Sequence, residues 1–130
     1  MMKLEDRMDI FVGDIEKLTE MNKNFREVLF TGKNAQLVVM RLKGGEEIGP
    51  EVHENVDQFF RVEEGEAEFV FGDHERHQVE AGGAVLVPAG THHNVINKSD
   101  TKDLKLYTIY SPPNHPEGTI HATKADAEAD

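Results

Sequence analysis

The chain has 130 residues, 14 basic against 25 acidic side chains (net charge −11), 38% hydrophobic residues and no cysteine. That charge argues against a nucleic-acid partner or an anionic membrane surface, which both need a basic face. The missing cysteines exclude thiol catalysis, thiolate metal sites and disulfides. No apolar run reaches the roughly 20 residues of a membrane helix, and the start has no signal-peptide core, so a cytoplasmic location is expected.

Residues 1–25 read as a peripheral segment. Met8 to Val12 is a short apolar run suited to an edge strand. Asp14 is placed to cap a short helix with Ile15, Leu18 and Met21 on one face. Such a helix must dock to survive.

From residue 26 to 110 the pattern is of short strands and turns. The expected strands are Arg26–Thr31, Ala35–Leu42, Gln58–Glu63, Glu66–Phe71, His77–Glu80, Ala84–Val87, His92–Ile96 and Leu104–Tyr110. Gly32-Lys33-Asn34, Gly44-Gly45, Gly65 and Gly72-Asp73 supply the breaks between them. Many short strands at near-regular spacing predict a β-sandwich or small barrel. Residues 111–130 form a Pro-rich arm, and Ala122 to Asp130, small and acidic, is expected to fray.

Chemistry concentrates in two places. Glu51 and His53, one residue apart, point to one face if they lie on a strand. Gln58 follows, and Pro88-Ala89-Gly90-Thr91-His92-His93 lies further on. Imidazoles and a carboxylate converging from neighbouring strands suit a divalent transition metal. The other reading leaves Glu51 solvated, His53 on the surface and His93 as a satisfied core group. Only one of His92 and His93 can face inward. His74 and His77 read as a second cation site or, more simply, a solvated hairpin. Phe60 shares the parity of Gln58 and so lines the interior, Phe59 faces outward, and Tyr107 or Tyr110 could offer a hydroxyl.

Gly45, Glu51, His53, Gln58 and Gly65 follow the spacing G-x5-H-x-H-x4-E-x6-G, with Glu51 in the first His place and Gln58 in the Glu place. Gly82, Pro88, Gly90, His93 and Asn97 fit G-x5-P-x-G-x2-H-x3-N without departure. In these two motifs the chain resembles the cupin superfamily. The resemblance implies an all-β double-stranded β-helix (jelly-roll) barrel, here with a short N-terminal helix and a C-terminal arm. It also implies one divalent ion per chain (Mn, Fe, Zn or Ni) held by Glu51, His53, Gln58 and His93, with His93 rather than His92 facing in. The tail Ser111 to His121 resembles an extension of small bacterial cupins. It reads either as a lid bringing His115 or His121 to the barrel mouth or, by its prolines, as a surface arm; the arm is preferred.

Two His and one carboxylate leave open positions on an ion such as Fe(II) or Mn(II). The expected function is metal-dependent isomerisation or tautomerisation of a small sugar-like or hydroxy-carbonyl compound. An Fe(II)-dependent dioxygenase and a non-catalytic binding module are the alternatives. A small-molecule substrate and a homodimer are the expected partners. The residues name no firm general base; His115, His121 and a Tyr hydroxyl are the candidates.

Overall fold

The computed structural model describes residues 10–130. Helix α1 (Ile15–Met21) opens it, capped by Asp14, whose Oδ1 accepts from the Lys17 amide at 3.1 Å. Nine strands follow: β1 Arg26–Thr31, β2 Gln36–Leu42, β3 Asp57–Glu64, β4 Glu66–Phe71, β5 Glu75–Glu80, β6 Ala84–Val87, β7 His93–Asn97, β8 Leu104–Ser111 and β9 Ile120–His121. Helix α2 (Lys124–Ala129) closes the chain.

The strands form two antiparallel sheets. One has six strands in the order β6-β3-β8-β2-β1-β9, the other three in the order β5-β4-β7. Bridges Glu47↔Ile96 and Glu51↔His93 lay the segment before β3 against β7, extending the smaller sheet. Alternation decides which residues meet between the sheets. In β8, Leu104, Leu106, Thr108 and Tyr110 are buried, while Lys105, Tyr107 and Ile109 face the other way and are half-buried. Their cross-strand neighbours Met40, Val38, Phe60 and Val62 carry the core across the sheet. Phe60 meets Phe69 of the opposite sheet edge-on at 5.1 Å, which ties the two layers together. Helix α1 lies over the outer face of β8, β3 and β2.

The expected all-β jelly roll is present, and the strand bounds agree to within two residues. Differences lie mostly at the ends. Of the apolar run Met8–Val12, Met8 and Asp9 lie outside the described residues, and Ile10–Val12 form no strand. β5 begins at Glu75, two residues before the expected His77, and the exposed His77 pairs with Glu75 at 2.8 Å. The end of the chain, expected to fray, forms helix α2. Thr123 and Asp126 form a reciprocal capping box, and Ala127 packs on the core. The arm is also not a free linker, since β9 pairs with β1 through Arg26↔His121 and Glu27↔Ile120.

Candidate metal centre

Glu51 and His93 are cross-strand partners. The Glu51 amide donates to the His93 carbonyl at 2.8 Å and the His93 amide to the Glu51 carbonyl at 2.9 Å. A pair exchanging both bonds points its side chains to one face. His53 lies beyond the bridge in a loop, not on a strand as expected. Its carbonyl accepts from the Gly90 amide at 2.8 Å, so the Pro88–Thr91 turn holds it in place. Gly90 has φ +84°, a conformation other residues resist. The same-face expectation for Glu51 and His53 therefore holds through a turn contact rather than a pleat.

Metal-ligating atoms of Glu51, His53 and His93 lie within 4.8 Å of one another. His93 is buried and His92 exposed. His93 Nδ1 donates to the Thr91 carbonyl at 2.9 Å. A carbonyl only accepts, so the proton sits on Nδ1 and Nε2 keeps its lone pair. His93 Nε2 and His53 Nε2 are both buried without a partner among the described residues. Gln58 points inward from β3, its Nε2 donating to Thr108 Oγ1 at 3.0 Å while its buried Oε1 has no partner among the described residues. Partnerless acceptors beside a carboxylate are an arrangement that a cation satisfies and that no donor among the described residues does. Glu51, His53 and His93 thus fit a divalent ion chemically, and Gln58 turns an amide oxygen inward from β3.

Burial would raise the Glu51 carboxyl, but the attraction of His53, with His93 and Arg26 adding, outweighs it and holds the group below its usual range. His53 Nε2 stands 3.8 Å from Glu51 Oε1, beyond hydrogen-bond reach, so this pull is mainly electrostatic. Asn97, the last motif residue, serves the fold instead. Its Nδ2 donates to the carbonyls of Leu42, Lys43 and Lys102, and its Oδ1 accepts from the Ser99 amide.

Above these groups stands a tyrosine–histidine pair. Tyr110 is buried and edge-on to the His53 ring at 5.8 Å. Its hydroxyl lies 3.2 Å from His115 Nε2. The arm therefore does reach the mouth, contrary to the preferred expectation, and His115 rather than His121 is the residue it delivers. Tyr107 faces outward against Phe59, their rings 6.2 Å apart. Burial pushes the Tyr110 hydroxyl well above its usual range, with Glu51 adding and Arg26 opposing. Burial and the nearby Arg26 charge push the His115 imidazole down to about 4, against a smaller opposing pull from Glu51. Both groups are therefore neutral near pH 7. Arg26 itself, on β1, was not legible as a site residue. Its only signal was its parity with the core residue Val28.

The chain is 51% identical over 124 residues to YrkC of Bacillus subtilis, covering 92% of this chain and 66% of YrkC, so it spans just under two thirds of that protein. It is 40% identical over 119 residues to L612 of Acanthamoeba polyphaga mimivirus, covering 90% of this chain and 74% of L612. The crystal structure of BH2720 from Bacillus halodurans superposes with a TM-score of 0.89 at 46% identity, over 92% of this chain and 94% of that one. The Cupin domain family matches residues 38–110, more than half of the chain and both motifs, and the protein belongs to that family.

Proposed function

We propose that the protein is a metal-dependent enzyme that moves a proton on a small sugar-like or hydroxy-carbonyl compound, as in aldose–ketose isomerisation or a related tautomerisation. Glu51, His53, His93 and Gln58 would hold one divalent ion. Bound there, the ion supplies Lewis acidity to a hydroxyl–carbonyl pair and acidifies the carbon between them. The observation that carries the reading is the neutral His115 set against the Tyr110 hydroxyl, above the ligand cluster.

His115 Nε2 is where the substrate proton is held, with the Tyr110 hydroxyl as the bridging group. A depressed imidazole is unprotonated across the neutral range, so it is ready to accept. Once protonated it is a strong acid and returns the proton readily, which suits a reversible transfer between neighbouring carbons. Tyr110, held neutral, passes its own proton to His115 Nε2 as its oxygen takes the proton leaving the substrate carbon, so it ends the step neutral.

Metal-free protein reloaded with Mn(II), Zn(II) or Fe(II) and offered sugars, sugar phosphates, uronates and diketones tests this. Solvent deuterium should enter a substrate without oxygen uptake, and His115→Asn should lose that exchange while keeping the metal. Fe(II)-only turnover with stoichiometric oxygen uptake would establish a dioxygenase instead. Tight binding of one compound without turnover would establish a binding module.

We also infer a homodimer. Leu86 is 66% exposed beside the outward Phe59 on the face of the larger sheet, and such apolar faces are usually covered. Light scattering that finds a 14.6 kDa particle at micromolar concentration rejects it.

A further inference from the structure

Arg26 is 7% exposed, yet it makes no salt bridge among the described residues. A buried guanidinium without a carboxylate is costly, so what surrounds it bears on its role. Its register partner Met40 belongs to the core, so Arg26 points between the sheets and not to solvent. The guanidinium lies against the Phe25 ring, 5.3 Å from its centroid.

One edge of the group is tied down. Nη1 lies 3.3 Å from His121 Nδ1, and His121 Nε2 lies 2.7 Å from Asp130 Oδ2. Arginine only donates, so His121 accepts at Nδ1, carries its proton on Nε2 and passes the bond on to Asp130. This chain fixes the plane of the guanidinium. Nε, on the side-on edge, is buried and has no partner among the described residues. That edge is the fork which grips a carboxylate or phosphate with two parallel bonds. Arg26 pairs in register with His121, and the same arm sets His115 Nε2 3.2 Å from the Tyr110 hydroxyl, so the arm joins the guanidinium to the groups at the mouth; Glu51, Tyr110 and His115 also feel the Arg26 charge.

The geometry points to Arg26 as the anchor for an anionic group of the substrate, a carboxylate or a phosphate, held inside the mouth beside the metal ligands. The inference rests on the reading of the mouth as the substrate site and narrows its substrate to an anionic hydroxy-carbonyl compound. Neutral polyols and free sugars are then poor ligands. His121 and Asp130 are positioning residues that act through Arg26.

The test is made on the full chain, first metal-free and then loaded with Mn(II). Glycolate, inorganic phosphate and uncharged ethylene glycol are titrated in turn, and the Arg26 Nε–H resonance of the metal-free protein is followed by NMR. Glycolate or phosphate should shift that resonance and saturate; ethylene glycol should not. The arm that saturates first tells carboxylate from phosphate. In Arg26→Met, anion affinity measured by calorimetry should fall by at least about tenfold, roughly one fork's worth of charged hydrogen bonding. Arg26→Lys keeps the charge without the fork, should fall between the two, and serves if the Met variant does not fold. Neither anion moving the resonance, or Arg26→Met and Arg26→Lys both keeping wild-type anion affinity, overturns the proposal. Anion binding at Arg26 without deuterium exchange in any substrate would leave the inference standing and overturn isomerisation. Exchange that is indifferent to substrate charge would do the reverse.

Discussion

Two polar clusters of this molecule are built from similar residues and differ in how they are satisfied. On the outer face of the smaller sheet, Glu68 receives Arg76 at 2.6 Å on Oε1, and Gln78 at 2.7 Å and Lys98 at 3.7 Å on Oε2. Its carboxylate is covered by the side chains laid over it rather than by depth. Burial raises its pKa, but these partners outweigh that and hold it below the usual range. In the mouth, four buried atoms go without a partner among the described residues: His53 Nε2, His93 Nε2, Gln58 Oε1 and Arg26 Nε. A closed set of bonds holds a sheet together. Open valences at the end of a packed core hold nothing in the fold, and the proposed ion and anion would satisfy them.

The largest effect that could break this comparison is on metal affinity. His53→Ala with His93→Ala should weaken Mn(II) by more than about 100-fold, beyond what loss of an outer-shell group costs. Glu68→Gln should leave it unchanged. Calorimetric titration of metal-free protein reads both, and an unaltered affinity in the double variant would remove the distinction between the clusters. Next comes the order within the mouth. Glu51→Ala should cost at least about tenfold more affinity than Gln58→Ala, because a charged oxygen attracts a dication more strongly than an amide. The opposite order would show that the amide is the principal oxygen ligand.

A smaller effect sharpens the other side. Glu68→Ala should lower Tm while metal affinity stays put, since Arg76, Gln78 and Lys98 lose their shared acceptor. The smallest effect is acid sensitivity. His115 has a folded pKa of about 4 against 6.5 when unperturbed, so between these values the unfolded chain binds a proton that the folded chain does not. Stability from this group is therefore present above about pH 6.5 and is lost as pH falls toward 4. An imidazole NMR titration should find the midpoint near 4, and His115→Asn should flatten that part of the stability profile.

The strands were legible because alternation of buried and exposed residues is written locally. Gln58 and Phe60 point in while Phe59 points out, as their parity required. His93 was separable from His92 for the same reason. Glu51 and His53 were legible through motif spacing, although a turn and not a strand brings them together. What escaped was set by contacts distant in sequence. Nothing near Ile120 reveals that it will pair with Glu27, so the prolines alone suggested a loose arm. The Thr123–Asp126 capping box was readable and was outweighed by the acidic composition around it. Arg26 ran against expectation because a lone arginine on a strand ordinarily lies in water.

Gln36 sits fully buried at the root of the arm. Its Oε1 accepts from the amides of Asn114 and His115, at 3.0 and 2.9 Å, and its Nε2 donates to the His115 carbonyl at 2.7 Å. All three bonds to the arm go to main chain, so the clamp does not read which side chain stands at 115. The turn is a socket with an interchangeable fitting. An acid, an amide or an apolar group could be presented to the mouth from the same backbone, and amide exchange at Asn114 and His115 should stay slow in each such variant. Within one barrel, this separates the part that places a reacting group from the part that chooses it.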